Sequence, residues 1–224
     1  MQAVILAAGK GTRLRPLTDR IPKALVDIKG VPLIGRILAA LPRDITEIII
    51  VVGHLAEQIR AHVGPSWNGI PVRYLVQDPL DGTGTAIHLA KGLLHGSFLV
   101  VNGDDLYDQA DLARLCSHPL AILLHQTNGP VSPSALVDAR GHFMGLESRP
   151  PQGEHHRRVC GAYVLDERFF RYPLAEIPVR DHVEFSLPHT LVNMAKDLPV
   201  RAEIARFWQP VGTPEEWQQA NRMA

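Results

Sequence analysis

The residues best placed to do chemistry are two cations close to a run of small residues, a pair of adjacent carboxylates, and a glutamine beside glycines. The first group is Leu6-Ala7-Ala8-Gly9-Lys10-Gly11-Thr12-Arg13-Leu14-Arg15-Pro16-Leu17-Thr18, followed by Pro22-Lys23-Ala24-Leu25. Small residues let a backbone approach a ligand closely, and successive free N–H groups can make a nest for phosphate oxygens. Arg13 and Lys23 add positive charge to that loop. Transfer of a phosphoryl-type group needs this combination of positioning and charge neutralisation on non-bridging oxygens. The segment is not a Walker loop, because G-x-x-x-x-G-K-[ST] is absent. It is not the dinucleotide fingerprint either, because G-x-G-x-x-G fails at Leu14. On spacing alone, a strand–turn with surface cations remains open.

Val100-Val101-Asn102-Gly103-Asp104-Asp105 ends an apolar run in two carboxylates. Magnesium prefers hard oxygen ligands and takes only one or two from protein. The alternative for these residues is a capped turn. Gln77-Asp78-Pro79-Leu80-Asp81-Gly82-Thr83-Gly84-Thr85-Ala86 offers an amide with both a donor and an acceptor, which suits the edge of a nucleobase. A polar loop capping a helix would read the same way.

The elements that must position these groups follow from the apolar pattern. Residues 3–8, 47–52 and 97–102 are continuous apolar runs without alternation, as in a parallel sheet covered on both faces. Between them, Leu55, Ile59 and Val63 repeat with helical spacing, as do Ala86, Ala90, Leu93 and Leu94, and residues 33–41 make a further helix. Strand–helix alternation at this spacing predicts βαβ units in an α/β, Rossmann-like, doubly wound, mostly parallel sheet. Ligands then belong at the carboxyl ends of the strands. Beyond residue 125 the pattern predicts short strands at 134–138 and 143–147 about a tight turn, a polar loop over 150–158 and a strand at 159–165. A short helix near Glu167 and an amphipathic helix over 184–196 follow. These form a small mixed β extension. Thr213-Pro214-Glu215-Glu216 reads as a helix start. The expectation is one domain over 1–224, with a nucleotide-binding half (1–125) and a second half (126–224).

LAAGKGTRLRPLT…PKAL is similar to the signature of the sugar-phosphate nucleotidyltransferases, or NDP-sugar pyrophosphorylases. The likeness extends over nearly the whole chain and weakens after about residue 125. No hexapeptide array follows, so the resemblance is to a short form without a left-handed β-helix domain. It implies that Arg13 and Lys23 engage a triphosphate and that Asp104 binds Mg²⁺, with Asp105 as a second candidate ligand. Arg13, Lys23 and Asp104 would then be the catalytic set. The implied nucleotide-binding residues are Leu6, Ala7, Ala8, Gly9, Gly11, Thr12, Gln77, Gly82, Thr83, Asn102 and Gly103. The implied sugar-binding residues are Ser134, Glu147, Arg149, Cys160 and Gly161.

Several positions depart from the family pattern. Arg149 stands where the family has lysine, and a planar fork prefers bidentate contacts. Cys160 replaces a hydrogen-bonding residue, and Ser134 a glycine. In Phe207-Trp208-Gln209-Pro210-Val211-Gly212-Thr213-Pro214-Glu215, Pro210 occupies the place of a second metal-binding aspartate. Asp105 or a water could complete the metal shell, one carboxylate could suffice, or the enzyme could be slow or inactive.

The implied reaction joins an NTP, with UTP favoured by the Gly82-Thr83-Gly84 form, to a sugar 1-phosphate and releases pyrophosphate. The alternatives are a cytidylyltransferase acting on a non-sugar phosphate such as phosphocholine, a non-catalytic nucleotide-sugar binding protein, and a metal-dependent glycosyltransferase. The LAAGKGTR loop speaks against the last, because that loop serves a triphosphate. Composition excludes broader classes. Lys plus Arg and Asp plus Glu number 23 each, which is no footprint for nucleic acid. The N-terminal apolar run spans six residues, too short for a signal peptide or a membrane span. Two cysteines imply no disulfide framework, so a cytoplasmic protein is expected. Glu154-His155-His156-Arg157-Arg158 fits no zinc pattern and reads as a solvated loop.

Overall fold

Apolar runs of β-branched residues form the centre of the molecule because each can bury both of its faces. A computed structural model describes residues 1–127, 129, 131–148, 156–179 and 182–223. The strands in the first half are β1 (Gln2–Ala7), β2 (Asp27–Ile28), β3 (Val31–Pro32), β4 (Glu47–Val52), β5 (Ser66–Trp67), β6 (Ile70–Val76), β7 (Ser97–Asn102) and β8 (Asp105–Tyr107). Those that follow are β9 (Ala121–Thr127), β10 (Ser134–Val137), β11 (Phe143–Glu147), β12 (His156–Asp166), β13 (Ala175–Val179), β14 (His182–Ser186), β15 (Arg201–Ile204) and β16 (Trp208–Pro210). The α-helices are α1 (Leu33–Ala40), α2 (Ala56–Val63), α3 (Thr83–Leu89), α4 (Gln109–Leu115), α5 (Leu187–Ala195) and α6 (Pro214–Met223).

Eight strands form one sheet in the order β15-β9-β12-β7-β1-β4-β6-β5. β1 runs parallel to β4 and β7, β4 to β6, and β15 to β9. β12 is reversed, lying antiparallel between β7 and β9. Successive side chains of a strand point to opposite faces, so Ala3, Ile5, Ile48, Ile50, Leu99 and Val101 join one core while Val4, Ile49, Val51, Phe98 and Val100 join the other. Helices α1, α2, α4 and α6 cover the first face, and α3 and α5 the second. This is the doubly wound α/β architecture expected. From β1 the chain proceeds to β4 on one side and reaches β7 on the other, so a crevice opens at the carboxyl ends of β1 and β7.

The second half differs from expectation in detail. Residues 184–186 end β14, and α5 begins only at Leu187, where the Ser186 side chain caps the first turn. The strand expected over 159–165 starts at His156, so part of the polar loop is strand and His156 is buried. The β extension comprises two antiparallel hairpins, β10–β11 and β13–β14. The boundary at residue 125 falls inside β9, and β12 inserts between strands of the first half. In the first half, Leu55 sits just outside α2 in a left-handed conformation, and α3 ends at Leu89 although Ala90 and Leu94 remain buried. Among the described residues no helix is long and apolar enough to cross a membrane.

Candidate functional site

A cleft of about 490 Å³ lies at the predicted switch point. Its floor is the loop that leaves β1. Leu6, Ala7, Ala8, Gly9, Lys10, Gly11 and Thr12 line it, with Lys23 and Ala24 from the turn that follows. Gly11 is left-handed, and its carbonyl accepts from Thr18 Oγ1 at 2.8 Å, which pins the loop to a buried side chain. A Cβ built on Gly9 would meet nothing within 4 Å, so its α-carbon faces open space in the cleft.

The second wall is the end of β7. Asn102, Gly103 and Asp104 line the cleft. Gly103 N donates to Leu6 O at 2.8 Å, and a Cβ there would fall 2.8 Å from both Ala7 Cβ and Leu6 O. Only glycine lets β7 turn this close to β1. Lys23 is 9% exposed, and its Nζ lies 2.5 Å from Asp104 Oδ2. The site therefore holds a cation and an anion in contact at the strand end, with Lys10 exposed beside them.

The third wall is the Gln77 loop, lined by Gln77, Leu80, Gly82, Thr83 and Ala86. Gln77 Nε2 donates to Gly82 O (2.8 Å), Thr85 Oγ1 (3.0 Å) and Asp81 Oδ1 (3.2 Å). The amide nitrogen is thereby committed to holding the loop, which leaves the amide oxygen for an external donor. A Cβ on Gly82 would fall 2.3 Å from Phe185 O. The glycine is thus demanded by the backbone of β14 behind the loop as well as by any approach to a ring.

Several expected site residues do not line this cleft. Asp105 was a second metal candidate, with solvent exposure as the alternative. It is 6% exposed and does not line the cleft. Its Oδ2 accepts from Asn102 Nδ2 at 3.3 Å and lies 3.4 Å from Tyr107 Oη. Burial, and then the neighbouring Asp104 carboxylate, hold the Asp105 carboxyl well above the usual carboxylate range. Cys160 cannot present its side chain to a sugar, because it is fully buried in the core with α1 and α4, and burial pushes its thiol up. Gly161 packs against the Asn102 side chain, so it supports the β7 end from behind. Ser134 is buried, and its hydroxyl accepts from Arg157 N at 3.1 Å. Glu147 ends β11 outside the cleft lining, and Arg149 lies outside the described residues. Arg13 is exposed and does not line the cleft. Its guanidinium lies about 3.1 Å from where a Gly212 Cβ would sit.

Pro210 does not line the cleft but stands next to the strand end that carries Asp104 and Asp105. β16 pairs with β8 so that Pro210 faces Asp105, and Val211 N donates to Asp104 O at 3.0 Å. Six cleft residues are absent from the site expected from the sequence: Lys10, Ala24, Leu80, Ala86, His182 and Glu184. Lys10 sat inside the quoted loop and could have been found. His182 and Glu184 lie on β14, where the helical spacing of the following residues masks the strand and extends the expected helix back to Glu184.

A profile of the nucleotidyl transferase family matches residues 2–121. The bifunctional protein GlmU of Methanococcus aeolicus is 29% identical over 225 residues, a match covering 99% of this chain and 54% of that protein. The chain thus spans about half the length of the curated relatives it matches in full. The N-acetylmuramate alpha-1-phosphate uridylyltransferase of Neisseria meningitidis serogroup B is 47% identical over 113 residues, 48% of each chain. Among solved structures, a Bacillus anthracis protein described as a glucose-1-phosphate thymidylyltransferase, crystallised with sucrose, superposes with a TM-score of 0.85. It shares 23% identity, with 100% of this chain and 95% of that one covered. That likeness speaks for the fold.

Proposed function

The chain belongs to the nucleotidyl transferase family, and on that premise we propose that it transfers a nucleotidyl group from an NTP to a sugar 1-phosphate, releasing pyrophosphate. The observation that carries this reading is the Lys23–Asp104 contact at the mouth of a glycine-lined cleft between β1 and β7. UTP is the favoured donor. The uridylyltransferase of Neisseria meningitidis and a Haloferax volcanii UTP–glucose-1-phosphate uridylyltransferase, 35% identical over 109 residues, support that choice.

In this reading the acceptor phosphate, already anionic, needs no protein base. One of its oxygens forms a bond to the α-phosphorus of the NTP as the bond to pyrophosphate breaks in line. Backbone N–H groups of residues 8–12 hold phosphate oxygens, and Lys23 and Lys10 neutralise charge on the transferring and leaving groups. Arg13 engages the triphosphate from its place beside Gly212. The Gln77 amide oxygen reads a donor on the base.

The donor set fits Mg²⁺ through one protein ligand. Asp104 lines the cleft and keeps 38% of its side chain exposed, whereas Asp105 is buried and Pro210 has no donor. Mg²⁺ commonly keeps several waters and takes one or two carboxylates plus substrate phosphates. When bound, it would stabilise negative charge on phosphate oxygens.

Pyrophosphate release across four NTPs, a panel of sugar 1-phosphates and phosphocholine tests the reading. Release with UTP and one sugar phosphate is expected, and release with CTP and phosphocholine alone would replace it. Pro210 favours one second reading, a nucleotide-sugar binding protein without turnover. That reading expects nucleotide binding by calorimetry, silence across the panel, and release restored by Pro210→Asp.

A further inference from the structure

Every described residue lining the cleft comes from positions 6–104 except His182 and Glu184. We propose that these two form a hydroxyl-reading pair that sets which sugar phosphate is accepted. The inference rests on the nucleotidyl-transfer reading above.

His182 and Glu184 are two apart on β14 and therefore share a face. Val183 between them points the other way and is 49% exposed. A histidine ring nitrogen, Nε2, lies 3.0 Å from Glu184 Oε1, so the two side chains orient one another over the cleft. Their strand has a fixed root. Phe185 N donates to Asp81 O at 2.7 Å, Leu187 N donates to Thr83 Oγ1 at 3.0 Å, and the Phe185 backbone occupies the space that side chains on Gly82 and Gly84 would need.

The chemistry follows from charge. A carboxylate accepts from hydroxyls and repels phosphates. The phosphate end of the cleft is at Lys10 and Lys23, so the pair meets an uncharged polyhydroxyl ring. The nucleotide's surface is already supplied by the loops after β1, β6 and β7. His182 and Glu184 instead belong to the unit in which β14 leads into α5 and α5 packs on β11. A ring held by that unit is the acceptor's.

The test uses Glu184→Gln, His182→Asn, the double variant, and Val183→Ser as the outer-face control, each first checked by circular dichroism and melting temperature. Pyrophosphate release is measured with UTP and with glucose 1-phosphate, its 2-acetamido analogue and its 2-deoxy analogue. Calorimetry follows binding of UTP, UDP and UDP-glucose. The expected result is a fall in kcat/KM for the preferred acceptor of about tenfold to a hundredfold, mostly in KM. The order of the three acceptors also changes, UTP affinity stays within about twofold, and the Val183 variant behaves as wild type. Loss of UTP affinity with an unchanged acceptor order would assign the pair to the ribose and overturn the proposal, as would variants indistinguishable from wild type. If the wild-type chain binds these ligands without turnover, the transfer reading alone fails. The pair is then judged by UDP-glucose binding relative to UDP, and an unchanged ratio in the variants overturns it. A chain that binds no nucleotide overturns both.

Discussion

Lys23 and Asp104 are the pair on which the proposed chemistry turns, and their contact holds opposite charges together at a strand end. Removing one such electrostatic group from an active site costs roughly 10²–10³ in turnover. Asp104→Asn and Lys23→Met are each expected to lose pyrophosphate release on that scale, at saturating substrates, while the far-UV spectrum is unchanged. Full turnover in Asp104→Asn would sink the metal assignment. The glycines divide by the same kind of inspection. Gly82 has φ 120° and a backbone oxygen where its Cβ would go, so Gly82→Ala should cost about 2 kcal/mol or more in urea unfolding. Gly9 has no neighbour within 4 Å of a built Cβ. Gly9→Ala should leave stability within about 0.5 kcal/mol and weaken nucleotide binding measured by calorimetry.

At the scale of elements, the short strand β16 sets Pro210 opposite Asp105 and Val211 against Asp104. It is held from a distance by Asp111 on α4. The Asp111 side chain is fully buried, and its Oδ2 accepts from Arg206 N at 2.7 Å and Phe207 N at 3.0 Å, just ahead of β16. Arg114 Nη2 lies 2.8 Å from its other oxygen, Oδ1. Asp111→Ala would leave two backbone donors and a cation without their partner, an expected loss of about 3 kcal/mol. The urea midpoint reads this directly. Glu216 plays a parallel part from α6, where Oε2 accepts from Gly212 N at 2.7 Å and closes the turn after β16.

Over the whole molecule, the two halves of the chain share one sheet. β12 lies between β9 and β7, so a fragment of residues 1–125 would leave one edge of β7 without its partner strand and lose α5 and α6 from the two faces. Such a fragment is expected to lack a cooperative melting transition, and a sharp transition would show instead that the first half is a unit of its own. The acid limit of stability also belongs here. His88 on α3 and His189 on α5 pack on the same face, and both have their pKa lowered by burial, with a bond to the Gly84 carbonyl partly opposing this at His88. A histidine whose folded pKa lies below its unfolded value, near 6.5, binds fewer protons folded than unfolded. Stability is therefore complete above that value and falls as pH drops through and below it. The melting temperature of wild type should decline on acidification from about pH 6.5, and His88→Gln should flatten that decline.

The sequence by itself determined the sheet's centre and the cleft's floor. Apolar runs without alternation can only be buried strands, and the loop after β1, the Gln77 segment and the β7 end lie next to those strands in the chain, so their meeting at one crevice follows from doubly wound topology. What only the tertiary structure decided depends on contacts between residues far apart. Asp105 and Asp104 are adjacent and look equivalent in sequence, yet strand alternation at β8 and pairing with β16 bury one and expose the other. Cys160 aligns with a ligand position but faces the core, because β12 is held between β7 and β9. Glu184 is expected at the start of an amphipathic helix, yet residues 182–186 pair with β13 as a hairpin, and Phe185 N anchors that hairpin to Asp81 O on the Gln77 loop. Helical periodicity is a local signal. The hairpin overrides it at the segment's start, and its anchor on a loop far away in the chain is recorded by no spacing within the segment.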